Sequence, residues 1–569
     1  MCGIFALINN YNSKETIEKE FKKGENRGPE FSILKDYDNV LFGFHRLAIN
    51  GLNDESNQPI VIDNIILICN GEIYNYKQLA KDHNILMNTQ SDCEIIIHMY
   101  KLYGIEYTLN ILDGVFAFVI YDKNTNNIIA ARDPYGVRPL YYYTEINVLG
   151  FASELKEIYN LVVNKSNIQN FKPGHYSMFA INSNNSSIDL KLVKYNNFCF
   201  TNNLYNLHEN PELYYYVYKK IQQAVRKRVV GTTERPVACL LSGGLDSSLI
   251  AALVNKELQN DDSNEEKILN TFSIGLEGSE DLKYAKIVAK HLKSNHHEIV
   301  VSEEEFFNAI PEVIKVIESY DTTTIRASVG NYLVAKYIKE NSDCKVIFNG
   351  DGADELMGGY LYFKKAPNAY EFDKECKRLM SDIYMFDVLR SDKSISSNGL
   401  EPRTPFLDRS WVEFYLSIDR NLRYSTTINN CEKYLIRKSI DVVEPDLLPK
   451  EILWRTKEAF SDGVSSMQKS WFSIINDKIS SLGSEENNIE YHLIKTQLYY
   501  QNNNLKTINQ PTTQEQGYYR YLFNKHYVGC DHLIEYFWMP KYVDAKDASA
   551  RTLNCYNENN TNNSVESII

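Results

Sequence analysis

At 569 residues, the chain is too long to fold around one hydrophobic core, and this length predicts two to four domains. The formal net charge of −13 argues against a nucleic-acid-binding surface, and the apolar stretches have strand length, which excludes a membrane-spanning segment. Ten scattered cysteines without a Cys-x-x-Cys pair, and a start that lacks a secretory pattern, indicate a cytosolic protein with reduced thiols.

The first strand pattern begins at a candidate nucleophile. Cys2 is small enough to permit removal of Met1, which would leave a thiol and a free α-amine on one residue. An α-amine has a pKa of about 7.7–8.0, so it can act as general base for its own side chain. The sequence therefore predicts a nucleophile that needs no histidine.

Short strand patterns dominate the chain from residue 1 to about 200. The strand candidates are 40–45, 65–70, 115–121, 128–132 and 148–153. A capped helix pattern begins at Ser91, with apolar residues at 95, 96, 99 and 102. This region is predicted to form mostly antiparallel sheets with a few helices.

Seven blocks of this region resemble, in order, the class II glutamine amidotransferase domain. They are residues 2–4, 26–30, 44–48, 70–75, 91–94, 112–117 and 132–140. The resemblance implies an αββα sandwich of the N-terminal-nucleophile type, which hydrolyses glutamine to glutamate and ammonia.

The same resemblance implies a role for each matching residue. Cys2 attacks the carboxamide carbon of glutamine, and the Asn70 side chain and the Gly71 N–H form the oxyanion hole. Arg46 holds the substrate α-carboxylate, while Glu72 and Asp92 hold its α-ammonium. These residue types suit the tasks, because a guanidinium fork matches a carboxylate and carboxylates match an ammonium.

Helical periodicity begins at Asn210-Pro211, and strands then alternate with helices. The strand candidates are 236–241, 269–275, 297–301 and 344–350, and the helix candidates are 246–258, 281–294, 303–318 and 326–341. This alternation predicts a doubly wound parallel α/β sheet with its ligand at the carboxyl ends of the strands. The predicted domains are 1–205 and 206–553, the second with a helical C-terminal part, followed by a disordered tail over 554–569.

Two glycine-containing loops follow predicted strands of this second region. The loop 242–248 reads Ser-Gly-Gly-Leu-Asp-Ser-Ser and opens a helix, so its N–H and hydroxyl groups can hold a phosphate. It resembles the pyrophosphate-binding loop of ATP pyrophosphatases. The second loop carries Asp351, Asp354 and Glu355, whose mutual repulsion a nucleotide-bound Mg²⁺ would relieve.

Further blocks resemble the family of glutamine-hydrolysing asparagine synthetases. They are residues 320–328, 386–390, 405–408, 449–455 and 457–463, together with 517–519, 538–541 and 549–553, which are similar to the eukaryotic form. The resemblance implies that ATP adenylates aspartate to β-aspartyl-AMP and pyrophosphate. Ammonia then arrives through an internal tunnel and displaces AMP, giving asparagine. The family resemblance also implies a homodimer.

This resemblance also implies the residues of the second site. The ATP-binding residues are Leu240, Ser242, Gly243, Gly244, Asp246, Ser247, Ser248, Ile274 and Gly350. The aspartate-binding residues are Thr322, Thr323 and Arg326, the Mg²⁺ ligands are Asp246 and Asp354, and the catalytic residues are Asp351 and Lys457. Asp351 stands where the family has a glutamate assigned as the base for ammonia.

Another departure from the family pattern surrounds Arg403, in the segment Glu401-Pro402-Arg403-Thr404. We expect Arg403 to be structural and buried against a carboxylate. Two other functions remain open at this point. One is a related amidotransferase that adenylates another carboxylate, and the other is a catalytically silent homologue with a structural role.

Overall fold

The computed structural model describes residues 2–181, 190–196, 211–231, 233–260, 267–424, 431–455, 463–465, 469–482, 497–498, 500–502, 508–545 and 547–549. Lys457, the predicted domain boundary at 205/206 and the predicted disordered tail lie outside the described residues. Of the helices in these ranges, none combines the length and the apolar character that crossing a membrane requires.

The described strands belong to three sheets. They are β1 (Gly3–Ile8), β2 (Phe31–Tyr37), β3 (Val40–Arg46), β4 (Ile60–Ile62), β5 (Ile65–Ile73), β6 (Gly114–Asp122), β7 (Asn127–Arg132), β8 (Tyr141–Glu145), β9 (Val148–Ala152), β10 (Ile168–Asn170), β11 (His175–Ala180), β12 (Val193–Lys194), β13 (Val237–Leu240), β14 (Asn270–Leu276), β15 (Asn295–Val301), β16 (Val346–Phe348) and β17 (Glu401–Arg403).

The described α-helices are concentrated in the second half of the chain. They are α1 (Lys14–Phe21), α2 (Tyr76–Asp82), α3 (Ile95–Ile111), α4 (Leu155–Ile158), α5 (Pro211–Val229), α6 (Leu245–Gln259), α7 (Glu280–Leu292), α8 (Glu303–Asn308), α9 (Ile310–Ile317), α10 (Thr322–Asn341), α11 (Ala353–Met357), α12 (Ala369–Asp382), α13 (Asp387–Ser396), α14 (Arg409–Ser417), α15 (Arg420–Arg423), α16 (Tyr434–Val443), α17 (Lys450–Leu453), α18 (Trp471–Ser481) and α19 (Gln514–Tyr527).

The first two sheets are antiparallel and pack face to face. Their strand orders are β10-β8-β9-β1-β3-β2 and β12-β11-β7-β6-β5-β4. Because side chains alternate along a strand, Ile4 and Ala6 of β1 face Ile66 and Ile68 of β5, whereas Phe5 faces helices on the other side. Helices α2 and α3 cover the outer face of the second sheet. This is the αββα sandwich that the family resemblance implies, and it agrees with the mostly antiparallel sheets that the strand patterns predict.

The third sheet is parallel, with the order β15-β14-β13-β16-β17. The chain builds outward from β13 to β15 and then returns to place β16 on the opposite side of β13. The strand order therefore reverses between β13 and β16, and the loops that follow these two strands lie side by side. The predicted doubly wound α/β arrangement is confirmed.

Two details of this region differ from the sequence prediction. The helix expected over 303–318 is two helices, because Pro311 lies in the first turn of α9 and has no N–H to continue α8. Strand β17 had no sequence signal, since it has three residues and contains Pro402. Proline is tolerated there because β17 is an edge strand with one neighbour, β16.

Candidate active sites

Cys2, immediately before β1 of the first sheet, lies close to Asn70, which is within β5 of the second sheet. The Arg27 Nε donates a hydrogen bond of 3.1 Å to the Cys2 carbonyl oxygen. With its amide oriented to satisfy both neighbours, Asn70 donates to the same oxygen at 3.0 Å and accepts from Arg27 at 3.3 Å. The structure thus brings the predicted nucleophile and the predicted oxyanion-hole residue together.

The Cys2 thiol is not activated by its surroundings. Burial raises the pKa of Cys2 to about 11, although the positive charges of the chain terminus and of Arg46 oppose the shift. Its Sγ donates to the Leu47 carbonyl oxygen at 3.7 Å. A thiol with this pKa is protonated at neutral pH, so attack on an amide requires a base to remove its proton.

A loop after β3 surrounds the Arg46 guanidinium. Arg46 donates to the carbonyl oxygens of Gly51 and Asn53, and to the Asn57 side-chain oxygen at 2.7 Å. In the same loop, Asn50 donates to the Glu72 carboxylate at 2.8 Å. The loop therefore contacts the predicted carboxylate-binding residue and one of the predicted ammonium-binding residues.

Glu72 and Asp92 are both buried close to this loop. Burial raises the pKa of Glu72 well above its usual value, and the neighbouring Glu401 and Asp92 add to the effect. Burial also raises the pKa of Asp92 to about 6, against the hydrogen bond of 2.6 Å that its carboxylate accepts from the Ile73 N–H. An incoming ammonium would stabilise both carboxylates in their charged form.

The raised pKa of Asp92 predicts pH-dependent glutamine binding. Asp92 is charged above about pH 6 and neutral below it, and only the charged form attracts an α-ammonium. We expect the KM for glutamine to rise as the pH falls through 6, by up to about tenfold for each further pH unit. Steady-state hydrolysis between pH 5 and 8 measures this, and Asp92→Asn should flatten the profile. A KM that is constant from pH 5 to 7 in the unaltered protein would contradict the assignment.

The second site is a cavity at the carboxyl ends of β13 and β16. Two of the three serine hydroxyl groups of the loop 242–248, those of Ser242 and Ser247, lie 3.0 Å apart. Gly350 follows β16, and a Cβ there would lie 2.8 Å from the Cβ of Asp246. Only glycine permits this close approach of the two loops.

Most of the predicted ATP-site residues line this cavity. Those that do are Leu240, Ser242, Gly244, Asp246, Ser247, Ile274 and Gly350. The predicted catalytic residue Asp351, the predicted metal ligand Asp354 and Thr323 of the predicted aspartate set line it as well. Gly243, Ser248, Thr322 and Arg326 do not line it. The cavity also includes Asp387 and Arg390, to which the sequence analysis assigned no role.

Arg326 is committed to structural partners. Its guanidinium donates to Glu515 at 2.9 and 2.6 Å and to Asp547 at 2.8 Å, and all three side chains are buried. Two carboxylates already neutralise this cation, and it does not reach the cavity. In this structure Arg326 is occupied by two carboxylates, and its contact with the aspartate substrate stays a prediction.

Asp351 and Arg390 form a pair at the cavity wall. Arg390 donates to the Asp351 carboxylate at 3.0 Å and is itself almost fully buried. Burial raises the pKa of Asp351, whereas the Arg390 charge lowers it. Arg390 is therefore the cation of the cavity nearest to the predicted base, and it belongs to the block 386–390 that carries the family resemblance.

Asp246 and Asp354 converge on one cationic group. Lys433 Nζ lies 2.6 Å from the Asp246 carboxylate and also pairs with Asp354. Nothing in the sequence pointed to Lys433, because it is 187 residues from Asp246 along the chain. The three side chains show that the two predicted metal ligands are close enough to share one positive charge.

Within the described ranges, no group of three or more histidine, cysteine or carboxylate side chains is arranged to hold a metal ion. A nucleotide-bound Mg²⁺ needs only one or two carboxylates, since phosphates and water supply its other ligands. Asp246 and Asp354 fit that requirement, because they already face a common cation.

Arg403 connects the parallel sheet to the glutamine site. It is buried, donates to Glu401 at 2.9 Å, and lies 3.5 Å from Glu72. The prediction that Arg403 is buried against a carboxylate is confirmed, and its structural role stays a prediction. The contact with Glu72 was not predicted.

Two family models match the chain. A glutamine amidotransferase domain model matches residues 1–197, and an asparagine synthase model matches residues 217–375 and 365–517. Among curated relatives, the glutamine-hydrolysing asparagine synthetase of Gallus gallus is 41% identical over 577 residues, which is 98% of this chain and 99% of the relative. The Homo sapiens enzyme of the same name is 39% identical over 580 residues, with the same coverage. A solved glutamine phosphoribosylpyrophosphate amidotransferase from B. subtilis aligns with 52% of this chain and 81% of its own, at 16% identity and a TM-score of 0.30. The chain belongs to the family of glutamine-hydrolysing asparagine synthetases.

Proposed function

We propose that the protein makes L-asparagine from L-aspartate in an ATP-dependent reaction, with ammonia that it releases from L-glutamine. The observation that carries this proposal is the presence of two sites in one chain. One is the thiol of Cys2 beside Asn70, and the other is the cavity lined by the loop 242–248 and the loop that follows β16. Family membership supplies the reaction, and the geometry supports the assignment of residues to each half.

In the first half-reaction, the Cys2 Sγ attacks the carboxamide carbon of glutamine. The thiol proton passes to the α-amine that loss of Met1 would expose, and then to the leaving nitrogen, which departs as ammonia. The Asn70 amide and the Gly71 N–H stabilise the negative oxygen of the tetrahedral intermediate. Water then hydrolyses the thioester to glutamate and restores the thiol.

In the second half-reaction, the loop 242–248 holds the phosphates of ATP, and Leu240 and Ile274 contact the base. A β-carboxylate oxygen of aspartate attacks the α-phosphorus, and pyrophosphate leaves. Ammonia then attacks the activated carbonyl carbon, the bond from that carbon to the phosphate oxygen breaks, and AMP leaves with this oxygen. Bound Mg²⁺, held by Asp246 and Asp354, would neutralise phosphate charge.

Several residues of the chain position the aspartate and the protons in this scheme. Thr323 lines the cavity and can donate to a carboxylate, and Thr322 and Arg326 keep the aspartate-binding roles that the family resemblance implies. Arg390 also lines the cavity, but it pairs with Asp351 and Asp387. Asp351 accepts the proton that ammonia loses when it attacks. Lys457 keeps the role near the α-phosphate that the family resemblance implies. We also propose a cytosolic location and a homodimer, which rest on the sequence and on family membership alone.

The test is one incubation of the purified protein with glutamine, aspartate and Mg-ATP. We expect asparagine to form in step with AMP, and no ADP, because the proposed bond cleavage lies between the α- and β-phosphates. Glutamate without asparagine would mean that another acid is the acceptor. The absence of turnover of either substrate would favour a silent homologue.

A further inference from the structure

We propose that Glu234 and Arg235, in the part of the chain that carries the parallel sheet, are positioning residues for the glutamine site. They hold the loop 47–53, whose carbonyl oxygens accept hydrogen bonds from the Arg46 guanidinium, in the conformation that binds glutamine. This inference rests on the proposed function, because it takes Arg46 and Glu72 as the residues that bind the substrate.

Glu234 docks on the loop at two points. Its backbone N–H donates to the Ile49 carbonyl oxygen at 3.0 Å, and its carboxylate accepts from the Gly51 N–H at 2.7 Å. Arg235 adds contacts beside them, donating to the Ala48 carbonyl oxygen at 2.9 Å and to the Glu30 carboxylate at 2.9 Å. Glu30 in turn accepts from the Ala48 N–H at 2.6 Å. Two adjacent residues therefore fix the loop at Ala48, Ile49 and Gly51 and also contact Glu30, which supports the loop.

Gly51 transmits this docking to Arg46. Its N–H faces Glu234, and its carbonyl oxygen accepts from Arg46. The residue has a φ of +59°, and a Cβ would lie 2.4 Å from Ser56 Oγ, so this peptide arrangement needs glycine. Glu234 therefore holds the loop on one side, and the Arg46 guanidinium holds it on the other.

Asn50 extends the same effect to the ammonium-binding side. It lies between the two positions that Glu234 contacts, and its amide donates to Glu72 at 2.8 Å. Fixing the backbone at Ile49 and Gly51 therefore fixes the direction of the Asn50 side chain. Both ends of a bound glutamine would meet groups whose position depends on the docked loop.

The docking residues also lie close in sequence to the second site. Glu234 and Arg235 are separated from β13 only by Pro236, and β13 leads into the loop 242–248. The glutamine loop is thus anchored to the segment that enters the central strand of the other sheet. Glutamine binding is expected to depend on this anchor, whereas chemistry at the second site is not.

The test compares a double variant, Glu234→Ala with Arg235→Ala, to the unaltered protein. Loss of three side-chain hydrogen bonds is expected to raise the KM for glutamine about tenfold, with kcat for glutamine hydrolysis changed by less than about threefold. Asparagine synthesis from free ammonia, and the KM values for ATP and aspartate, should stay unchanged. The single variant Glu234→Gln keeps an acceptor oxygen for the Gly51 N–H, so it should retain most of the affinity for glutamine.

Lys77→Ala is the matched control. It removes another hydrogen bond between the two parts of the chain, from Lys77 Nζ to the Gly231 carbonyl oxygen at 3.1 Å, without touching the loop. We expect it to leave every constant unchanged. A glutamine KM within twofold of normal in the double variant, or a parallel loss of ammonia-dependent synthesis, would overturn the proposal. Glutamine hydrolysis is measured separately from asparagine formation. If the unaltered protein formed no asparagine, the proposed function would be refuted, but the KM for glutamine would still test the role of Glu234 and Arg235.

Discussion

Replacing Cys2 with alanine is expected to abolish glutamine hydrolysis and glutamine-dependent asparagine synthesis, by more than about a thousandfold. The Sγ is the atom that would form the thioester, and no other thiol among the described residues lies at the start of β1 beside Asn70. Asparagine synthesis from free ammonia should continue at its normal rate, because that reaction bypasses the first site. Glutamate release and asparagine formation, measured with each nitrogen source, give the result.

Cys344→Ala is the control for this substitution. Cys344 is buried near the amino end of β16, opposite the edge of the sheet that carries the cavity, so both nitrogen sources should work as before. If Cys2→Ala still made asparagine from glutamine at more than a few per cent of the normal rate, Cys2 would not be the nucleophile. If it also lost ammonia-dependent synthesis, the change would have damaged the fold.

The sequence was a good guide wherever a function depends on neighbours in the chain. The loop 242–248 follows its strand and opens its helix, so its position at the edge of the sheet could be read from the pattern alone. Cys2 and Asn70 come from different strands, and only the family resemblance predicted that they meet. Strand order and side-chain alternation in the two antiparallel sheets explain why they do.

Charged partners could not be predicted, because they are far apart in the chain. Arg326 pairs with residues 189 and 221 positions later, and no local pattern separates such an arginine from one that faces a substrate. Lys433 was missed for the same reason, because Asp246 is 187 residues away along the chain. A buried charge is costly unless it is paired, so the identity of each partner decides whether a cation is structural or available to a ligand.

A buried network of ion pairs joins the two halves of the chain and reaches residues of the predicted glutamine site. Arg27, which contacts Cys2 and Asn70, also pairs with Glu154 at 2.8 Å and with Asp392 of α13 at 2.7 Å. Arg403 of β17 joins Glu72 from the other side. Removing one partner of such a pair would leave a buried charge unmatched, at a cost of about 3–5 kcal/mol.

Asp246→Asn is expected to lower asparagine synthesis by about a hundredfold or more, whether the nitrogen comes from glutamine or from ammonia. Asparagine has almost the same shape as aspartate, so the first turn of α6 should persist while one of the two converging carboxylates is lost. Lys433 would then face Asp354 alone, and a cation carried by ATP would lose half of its protein ligands. AMP and pyrophosphate formation should fall together with asparagine.

Glutamine hydrolysis distinguishes this loss from general damage to the protein. The Asp246→Asn variant should still release glutamate, because Cys2 and the loop 47–53 do not contact Asp246. Asp343→Asn, an exposed carboxylate before β16 at the opposite end of the sheet, should leave both reactions unchanged. Normal asparagine synthesis in Asp246→Asn would remove Asp246 from the nucleotide site, whereas loss of both reactions would show a collapsed fold. Cys2→Ala is thus expected to lose only the reactions that use glutamine, because free ammonia can replace glutamine as the nitrogen source. Asp246→Asn is expected to lose asparagine synthesis with either nitrogen source, because nothing replaces the adenylation step.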